Sequence, residues 1–288
     1  MVTGFRLIAH RGASAHSPEN TLASFRNAIR MGSREVELDV RFSSDGRVVV
    51  FHDDRLDAKT TLSGRVRHHS SEWLQRANLW PWFERRAPLQ IGEFAVDRMT
   101  ADSIERPDET CVPLLETVFD RLGEEVAYHI ELKGWDDALP LAVIRAVNDF
   151  GLRDSVTLTS FSLRPLREVR KLEPHIPITF LIRDGHDALR SSEFRPELEG
   201  RSLDEVHAFW LEEAARSEFE WVAIRAKDLS PETVTQARRL GLEIRCWGIG
   251  NPTDLHRAVE AGAVGATVDW PEIARRLLRG SSASDGTG

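Results

Sequence analysis

The residues of this chain best equipped for chemistry come in short, closely spaced sets. His10 stands beside Arg11, Glu37 is two residues from Asp39, His52 precedes Asp53, and Glu131 is two residues from Lys133. Ser160 and Trp247 follow further along. Residues two apart on a strand share a face, so Glu37 joins Asp39 and Glu131 joins Lys133. Three carboxylates turned into a protein interior are costly unless something neutralises them, and a divalent cation is the natural answer. Carboxylate oxygens with some retained water suit Mg²⁺ or Ca²⁺ more than zinc. Two histidines flanking such an ion suggest acid–base chemistry near neutral pH. Arg11 and Lys133 beside them suggest an anion, and arginine favours oxyanions such as phosphate. Together the set describes metal-assisted phosphoester cleavage. Metal and cations would hold the charge on the phosphoryl oxygens, one histidine would activate the attacking oxygen, and the other would protonate the leaving one.

Each set needs an element that ends where it stands. Phe5–Ala9 reads as a short strand running out at His10, Gly12 lets the backbone turn, and Pro18 opens a helix expected to reach Met31, with Gly32 ending it. Glu35–Arg41 alternates strictly, with Val36, Leu38 and Val40 on one face and Glu35, Glu37 and Asp39 on the other. Ser44-Asp45-Gly46 is a turn signal before the β-branched run Val48–Phe51. So few residues cannot hold a helical crossover, so the pair is predicted to be an antiparallel hairpin that brings His52 level with Leu38–Asp39. Residues 54–112 differ in texture, with Trp73, Trp80, Trp82, Arg85 and Arg86, several prolines and short helical patches such as 71–75. They read as a cap inserted after the second strand. From the helix Pro113–Leu122 onward, strands and helices alternate. Strands are expected at Val126–Leu132, Val156–Thr159, Ile178–Ile182, Trp221–Ile224, Glu243–Cys246 and Gly265–Val268, and the helix after the first of these at Trp135–Phe150.

Leaving out the hairpin strand, eight βα units argue for an α/β fold of the (β/α)₈ TIM-barrel type, with an extra β-hairpin and a small cap. A doubly wound open sheet is the alternative, weakened by the missing G-x-G-x-x-G after the first strand. A barrel strand has packed side chains inside and helices outside, so the polar faces must point into the barrel mouth at the C-terminal strand ends. The expected organisation is one domain over residues 1–280, with the cap at 54–112 and a Ser/Gly-rich, disordered tail at 281–288.

Bulk composition narrows the function classes. The 288 residues are 41% hydrophobic and carry a formal net charge of −8. Without a polybasic run, nucleic acid is not an expected partner. No apolar stretch is long enough for a membrane span or secretory leader, so no stable membrane anchor is expected. Cys111 and Cys246 are far apart and lack metal-ligand spacing, so a reducing cytoplasm is the simplest location.

At this point the motifs carry a resemblance. His10-Arg11-Gly12 with Pro18-Glu19-Asn20-Thr21, then Glu37-x-Asp39, Asp45-Gly46, His52-Asp53 and Glu131-x-Lys133, resembles the glycerophosphodiester phosphodiesterase family. Ser160-Phe161, Trp247 and Asp269-Trp270-Pro271 agree, so the match spans residues 6 to about 273 in order. The resemblance implies a TIM barrel with Ca²⁺- or Mg²⁺-dependent hydrolysis of glycerophosphodiesters to glycerol 3-phosphate and an alcohol. It implies His10 and His52 as the acid/base pair, Glu37, Asp39 and Glu131 as metal ligands, and Arg11 and Lys133 on the phosphate. It also implies attack by the neighbouring glycerol hydroxyl through a cyclic phosphate, which the residues alone do not distinguish from direct attack by water. The family commonly has Trp-Thr-Val-Asn where this chain has Trp247-Gly248-Ile249-Gly250-Asn251, which reshapes one wall of the pocket.

Other residues have two readings. Tryptophans of the cap could cover a choline or ethanolamine group by cation–π contact, or simply bury the cap against the barrel, the plainer reading. His68 and His69 read as exposed loop residues. His129 fits a supporting role behind Glu131 as well as a satisfied core histidine. Asp53 reads as a turn residue as easily as a helper of the metal. Ser160 has no G-x-S-x-G elbow and is assigned to lining the pocket. Glu19 and Asn20 could brace the His10 loop. Two further functions compete: a phospholipase D-like hydrolase of lysophospholipids, which needs an apolar groove, and a non-catalytic barrel that binds phosphodiesters. Retention of both histidines, all three carboxylates and both cations argues against the second.

Overall fold

The computed structural model describes residues 4–134, 136–183 and 196–280. The expected tail at 281–288, and Trp135 at the expected start of a helix, lie outside them. Eight parallel strands form the barrel: β1 (Arg6–Ala9), β2 (Glu35–Phe42), β6 (Ala127–Leu132), β7 (Val156–Ser160), β8 (Ile178–Leu181), β9 (Trp221–Arg225), β10 (Glu243–Trp247) and β11 (Gly265–Val268). The hydrogen-bonded order is β1-β11-β10-β9-β8-β7-β6-β2, and pairing of β1 with β2 closes the ring. The chain is therefore a (β/α)₈ TIM barrel. It divides into two compact units, Ile8–Val156 with Asp269–Ile273, and Thr157–Val268 with residues 4–7 and 274–280.

In the unit built from Ile8–Val156, β2 is the organising strand. It pairs in parallel with β6 from Glu35↔Ala127 to Val40↔Leu132, which puts Glu37 opposite His129 and Asp39 opposite Glu131. Beyond that ladder, Val40–Phe42 pairs antiparallel with β3 (Val48–Val50) in the expected hairpin. Phe51 N–H then donates to Asp39 O at 2.9 Å, so His52 leaves the hairpin beside Leu38–Asp39. Asp45 holds the turn by accepting from the backbone N–H (2.8 Å) and hydroxyl (2.7 Å) of Ser71.

The first helix starts later than the sequence reading has it. α1 runs Leu22–Arg30, not from Pro18, because Thr21 and Ser24 form a reciprocal capping box. Asn20 sits at φ +56°, which no helix accommodates, and Thr21 Oγ1 donates to Pro18 O at 2.6 Å, so 18–20 form a turn. Residues 54–112 hold α2 (Ser71–Leu74), α3 (Trp80–Glu84) and a two-residue hairpin of β4 (Gln90–Ile91) and β5 (Phe94–Ala95). Their buried Leu56, Val66, Leu74, Ala77, Leu79 and Val112 share one cluster with Val49 and Phe51 of the first hairpin. This segment is thus cored on the strand that delivers His52. α4 (Leu115–Leu122) and α5 (Leu139–Asp149) complete the unit. α5 starts after the expected 135 because Pro140, which lacks an N–H, belongs to a first helical turn.

In the other unit, β8, β9 and β10 pair in parallel register, with Thr179↔Trp221 and Glu243↔Trp221. Helices α6 (Leu163–Leu172), α7 (Leu203–Arg216), α8 (Pro231–Arg239) and α9 (Pro252–Glu260) alternate with the strands, and α10 (Pro271–Gly280) follows β11. Ser202, Ser230 and Asn251 cap the starts of α7, α8 and α9 through their side chains. No helix among the described residues is long and apolar enough to cross a membrane.

Candidate active site

β1 ends at Ala9, and the chain then turns sharply to face β2. Arg11 adopts φ +55° and Gly12 φ +79°. A Cβ on Gly12 would lie 2.5 Å from Ser24 Oγ and 2.6 Å from the Ser24 carbonyl carbon, so only glycine fits. Ser24 Oγ also donates to Arg11 O at 2.8 Å, which ties the turn to α1. The result aims the Arg11 backbone N–H at Glu37 Oε2 (3.0 Å) and brings its Nε to 3.2 Å from Asp39 Oδ2. Arg11 also donates from its guanidinium to Glu19 at 2.8 Å.

Glu37, Asp39 and Glu131 are all buried, and each offers an oxygen within 4.8 Å of the others. The ladder explains this: Asp39 and Glu131 are opposite partners, and Glu37 is two residues before Asp39 on the same face. Lys133 Nζ bridges Glu131 (2.6 Å) and Asp39 Oδ1 (3.2 Å). Asn20 grips Asp39 from behind, donating its amide to Oδ2 at 2.7 Å and accepting the Asp39 backbone N–H at 3.2 Å. The inverted backbone at Asn20 makes that two-point grip possible.

The electrostatics are uneven. Burial raises the Asp39 carboxyl, but Lys133, Arg11 and His52 outweigh it and hold Asp39 well below the usual range. Glu37 is pushed up to about 7 by burial and then by Asp39 and Glu131, against the pull of His10 and Arg11. Two cations face the three buried carboxylates, and Asp39 Oδ1, ion-paired with Lys133 Nζ at 3.2 Å, accepts no further hydrogen bond. An all-oxygen donor set fits a hard divalent cation such as Ca²⁺ or Mg²⁺.

The two histidines share one design. His10 Nδ1–H donates to Asp269 Oδ1 at 2.7 Å, and its Nε2 faces Glu37 Oε2 at 3.9 Å. His52 Nδ1–H donates to Asp53 Oδ1 at 2.6 Å. In each ring the carboxylate fixes which nitrogen carries the proton and leaves Nε2 for other work. Burial and Arg11 lower the His10 pKa, yet Asp269 and Glu37 prevail and the net shift is upward. The aspartates pair accordingly. Asp269 lies at about 2 because His10 and Ser14 outweigh its burial, and Asp53 lies at about 2 through its bond to His52, with Lys59 adding to it.

Asp269 is the residue missed in the sequence reading, which saw it only within the Asp-Trp-Pro motif. Ala15 N–H donates to its backbone oxygen and Ser14 Oγ to its carboxylate (2.9 and 2.8 Å). No local signal links positions 259 apart; only barrel closure does. Lys59 was also missed. It donates to Glu19 (2.9 Å) and lies 3.2 Å from Asp53, joining the Arg11 side of the site to the His52 side. Arg41, on the Glu37–Asp39 face, donates twice to His52 O, at 2.9 and 2.7 Å.

Other candidates have different placements. His129 is buried and pairs through Nε2 with Glu35 at 2.7 Å. His69 stacks on Trp73 at 3.9 Å between ring centroids. Trp82 has two of the chain's own cations near its ring, Lys59 at 5.6 Å and Arg86 at 5.0 Å. Ser160 and Trp247 belong to the unit built from Thr157–Val268. There Ser160 Oγ accepts from Ser162 N–H at 3.2 Å, and Trp247 packs edge-on against Phe161 at 5.4 Å and donates to Ile182 O at 3.1 Å. Gly248 takes φ +70° against the Arg225 side chain.

The chain is similar to known proteins along most of its length. A glycerophosphodiester phosphodiesterase of Caldanaerobacter subterraneus subsp. tengcongensis is 29% identical over 283 residues, covering 95% of this chain and 97% of the relative. A Bacillus subtilis glycerophosphodiester phosphodiesterase is 27% identical, covering 95% and 86%. The solved structure of an Oleispira antarctica phosphodiesterase, in complex with the product sn-glycerol-3-phosphate, superposes with a TM-score of 0.75 at 20% identity, covering 95% of this chain and 96% of that one. Since the model of the Glycerophosphoryl diester phosphodiesterase family matches residues 10–273, from the first histidine past Asp269, the chain belongs to that family.

Proposed function

We propose that the chain hydrolyses glycerophosphodiesters to glycerol 3-phosphate and an alcohol, with His10 and His52 as the acid/base pair. The observation that carries this reading is the doubled histidine–aspartate arrangement beside one buried three-carboxylate cluster. Glu37, Asp39 and Glu131 would hold Ca²⁺ or Mg²⁺. Such an ion, when bound, supplies charge stabilisation at the phosphoryl oxygens. Arg11 and Lys133 add two fixed positive charges on the same side, each already oriented by carboxylates. One histidine accepts through Nε2 the proton of the attacking oxygen, of water or of the neighbouring glycerol hydroxyl, and the other donates a proton to the departing alkoxide; after attack by the hydroxyl, water opens the cyclic phosphate. Asp269 and Asp53 hold Nδ1–H of both rings, so the base presents a bare Nε2 and the acid, as the imidazolium, carries its second proton there. Glu19, Asn20, Lys59 and Arg41 restrain the groups that do the work. Ser160 and Trp247 are proposed pocket residues.

Residues 54–112 serve in this reading as a cap on a single barrel domain. A reducing, cytoplasmic setting suits the two free cysteines. The product complex of the Oleispira antarctica relative supports the substrate class.

The test is release of the head-group alcohol from a panel of glycerophosphodiesters and lysophospholipids, leaving glycerol 3-phosphate from the first and acylglycerol 3-phosphate from the second, assayed with Mg²⁺ and with Ca²⁺. Turnover is expected to vanish in His10→Ala and His52→Ala while substrate binding survives, and to stop on chelation. Activity that persists after chelation would overturn the metal assignment. Preference for lysophosphatidylcholine over glycerophosphocholine would favour a phospholipase D-like enzyme, and binding without turnover a non-catalytic barrel.

A further inference from the structure

Segment 54–112 places one guanidinium near the site that the reaction does not use. Arg86 NH1 donates to Ser14 O at 3.2 Å, and Ser14 Oγ donates to the same Asp269 oxygen that His10 uses. Two residues, Ser14 and Asp269, thus link Arg86 to a catalytic histidine. Among the described residues Arg86 makes no ion pair, and its side chain is exposed. Its guanidinium carbon lies 5.0 Å from the Trp82 ring centroid and 5.7 Å from that of Phe83. Arg98 lies 4.4 Å from the Phe83 centroid, where it donates to Arg86 O (2.7 Å) and to Phe83 O. Arg98 is thereby consumed in fixing the backbone of 83–86, and its own pKa is lowered by burial and by Arg86.

Trp82 also has Lys59 near its ring, and Lys59 reaches Glu19 and Asp53 beside His52. One indole therefore spans the supports of both histidines. With cations of the chain already at that ring, it is not an open cage for a quaternary ammonium. What the rim offers a ligand is the opposite: an arginine fork without a carboxylate, held over aromatic rings, which matches carboxylate or phosphate.

We infer that Arg86, backed by Trp82 and Lys59, recognises the alcohol arm of the substrate, and that the favoured diesters carry an anionic group there. The inference rests on the phosphodiesterase reading above and names its substrate class. An anionic group within reach of Arg86 gains a charge-assisted contact that a choline arm lacks and that its positive charge opposes.

Three glycerophosphodiester probes test it: glycerophosphoinositol 4-phosphate, glycerophosphoglycerol and glycerophosphocholine, with anionic, neutral and cationic arms. The wild type is expected to favour the anionic probe over choline by roughly tenfold or more in kcat/KM, as one charge-assisted hydrogen bond allows. Arg86→Gln should bring that ratio close to one, Arg86→Lys should restore part of it, and Arg85→Gln, at an exposed neighbour, should leave it unchanged. The ratio is read within each variant, so a general loss through the Ser14 contact cancels. Equal or better turnover of the choline probe by wild type would overturn the inference, as would an Arg86→Gln variant that loses activity equally on all three. Hydrolysis of none of the probes would instead overturn the phosphodiesterase reading, and this inference with it.

Discussion

Asp269→Asn isolates the contribution of orientation at His10. The native carboxylate accepts from His10 Nδ1–H at 2.7 Å and from Ser14 Oγ at 2.8 Å on one oxygen. The amide is nearly isosteric but uncharged, and its NH₂ face can donate to Nδ1 and so stabilise the wrong tautomer. A hydrogen bond to a charged group is worth about 1.5–3 kcal/mol net. At about 1.4 kcal/mol per decade in rate, its loss predicts a fall in kcat of roughly tenfold to a hundredfold. KM should stay within about twofold, because Arg11 and Lys133, not His10, face the phosphate in the proposed complex. The carboxylate side chain is 48% exposed, so solvent offsets the change in folding free energy, which should stay near 1 kcal/mol or less. Steady-state kinetics and a thermal melt on the same preparations separate the two effects. A variant that keeps most of its kcat, or that loses activity only through KM, would refute the claim that Asp269 orients the ring.

Gly12→Ala forces a side chain into a left-handed turn against Ser24, and is expected to cost about 3 kcal/mol or more, read as a large drop in melting temperature or loss of folded protein. Glu37→Gln removes the carboxylate most disfavoured by its neighbours. The metal-free variant should melt no lower than wild type, but the rise of several degrees that saturating Ca²⁺ or Mg²⁺ gives wild type, from a linkage of about 2–3 kcal/mol, should disappear. Asp45→Ala unfastens the β2–β3 turn from Ser71 and should cost about 1 kcal/mol at pH 7 in denaturant titrations. The hydrogen bonds from Ser43 and Ser71 lower the Asp45 pKa to about 2, so this contribution is present above the unfolded carboxyl value and is lost only as pH falls from about 4 toward 2. The gap between the two proteins should therefore hold from pH 7 to pH 4; a gap that closes at mildly acidic pH would contradict the assignment.

Strand periodicity made the carboxylate cluster legible, because the Glu37–Asp39 and Glu131–Lys133 spacings record a local geometry that the β2–β6 ladder then puts side by side. The hairpin was legible for the same reason: a turn signal between two β-branched runs has few alternatives. Pro18–Thr21 was not, since a proline before a helical pattern reads as a helix start unless the Asn20 backbone is known to invert. Of the short pieces of 54–112, the helical patch at 71–75 was legible and is α2, whereas α3 and the β4–β5 hairpin escaped because elements of two to five residues carry no period. Asp269 escaped as a partner of His10 because a long-range hydrogen bond leaves no mark on the local pattern at either end.

The tethers on the two histidines differ in a way the fold explains. His10 follows β1, a strand hydrogen-bonded within the closed ring, so the ring fixes its backbone and one carboxylate suffices to orient its side chain. His52 follows β3, a three-residue strand paired with the end of β2 and held on its other side by the single bridge Val49↔Leu114, with Val50 N–H donating to Pro113 O at 2.9 Å. Such a strand end frays unless other groups hold it. Arg41 supplies two hydrogen bonds to the His52 carbonyl, Asp53 orients the ring, Lys59 restrains Asp53, and the cluster around Phe51 anchors the preceding residue. Arg41 and Lys59 are therefore the parts of the site that compensate for delivering His52 from outside the barrel. They also explain why segment 54–112, which brings Lys59, belongs to the working of the site as well as to its rim.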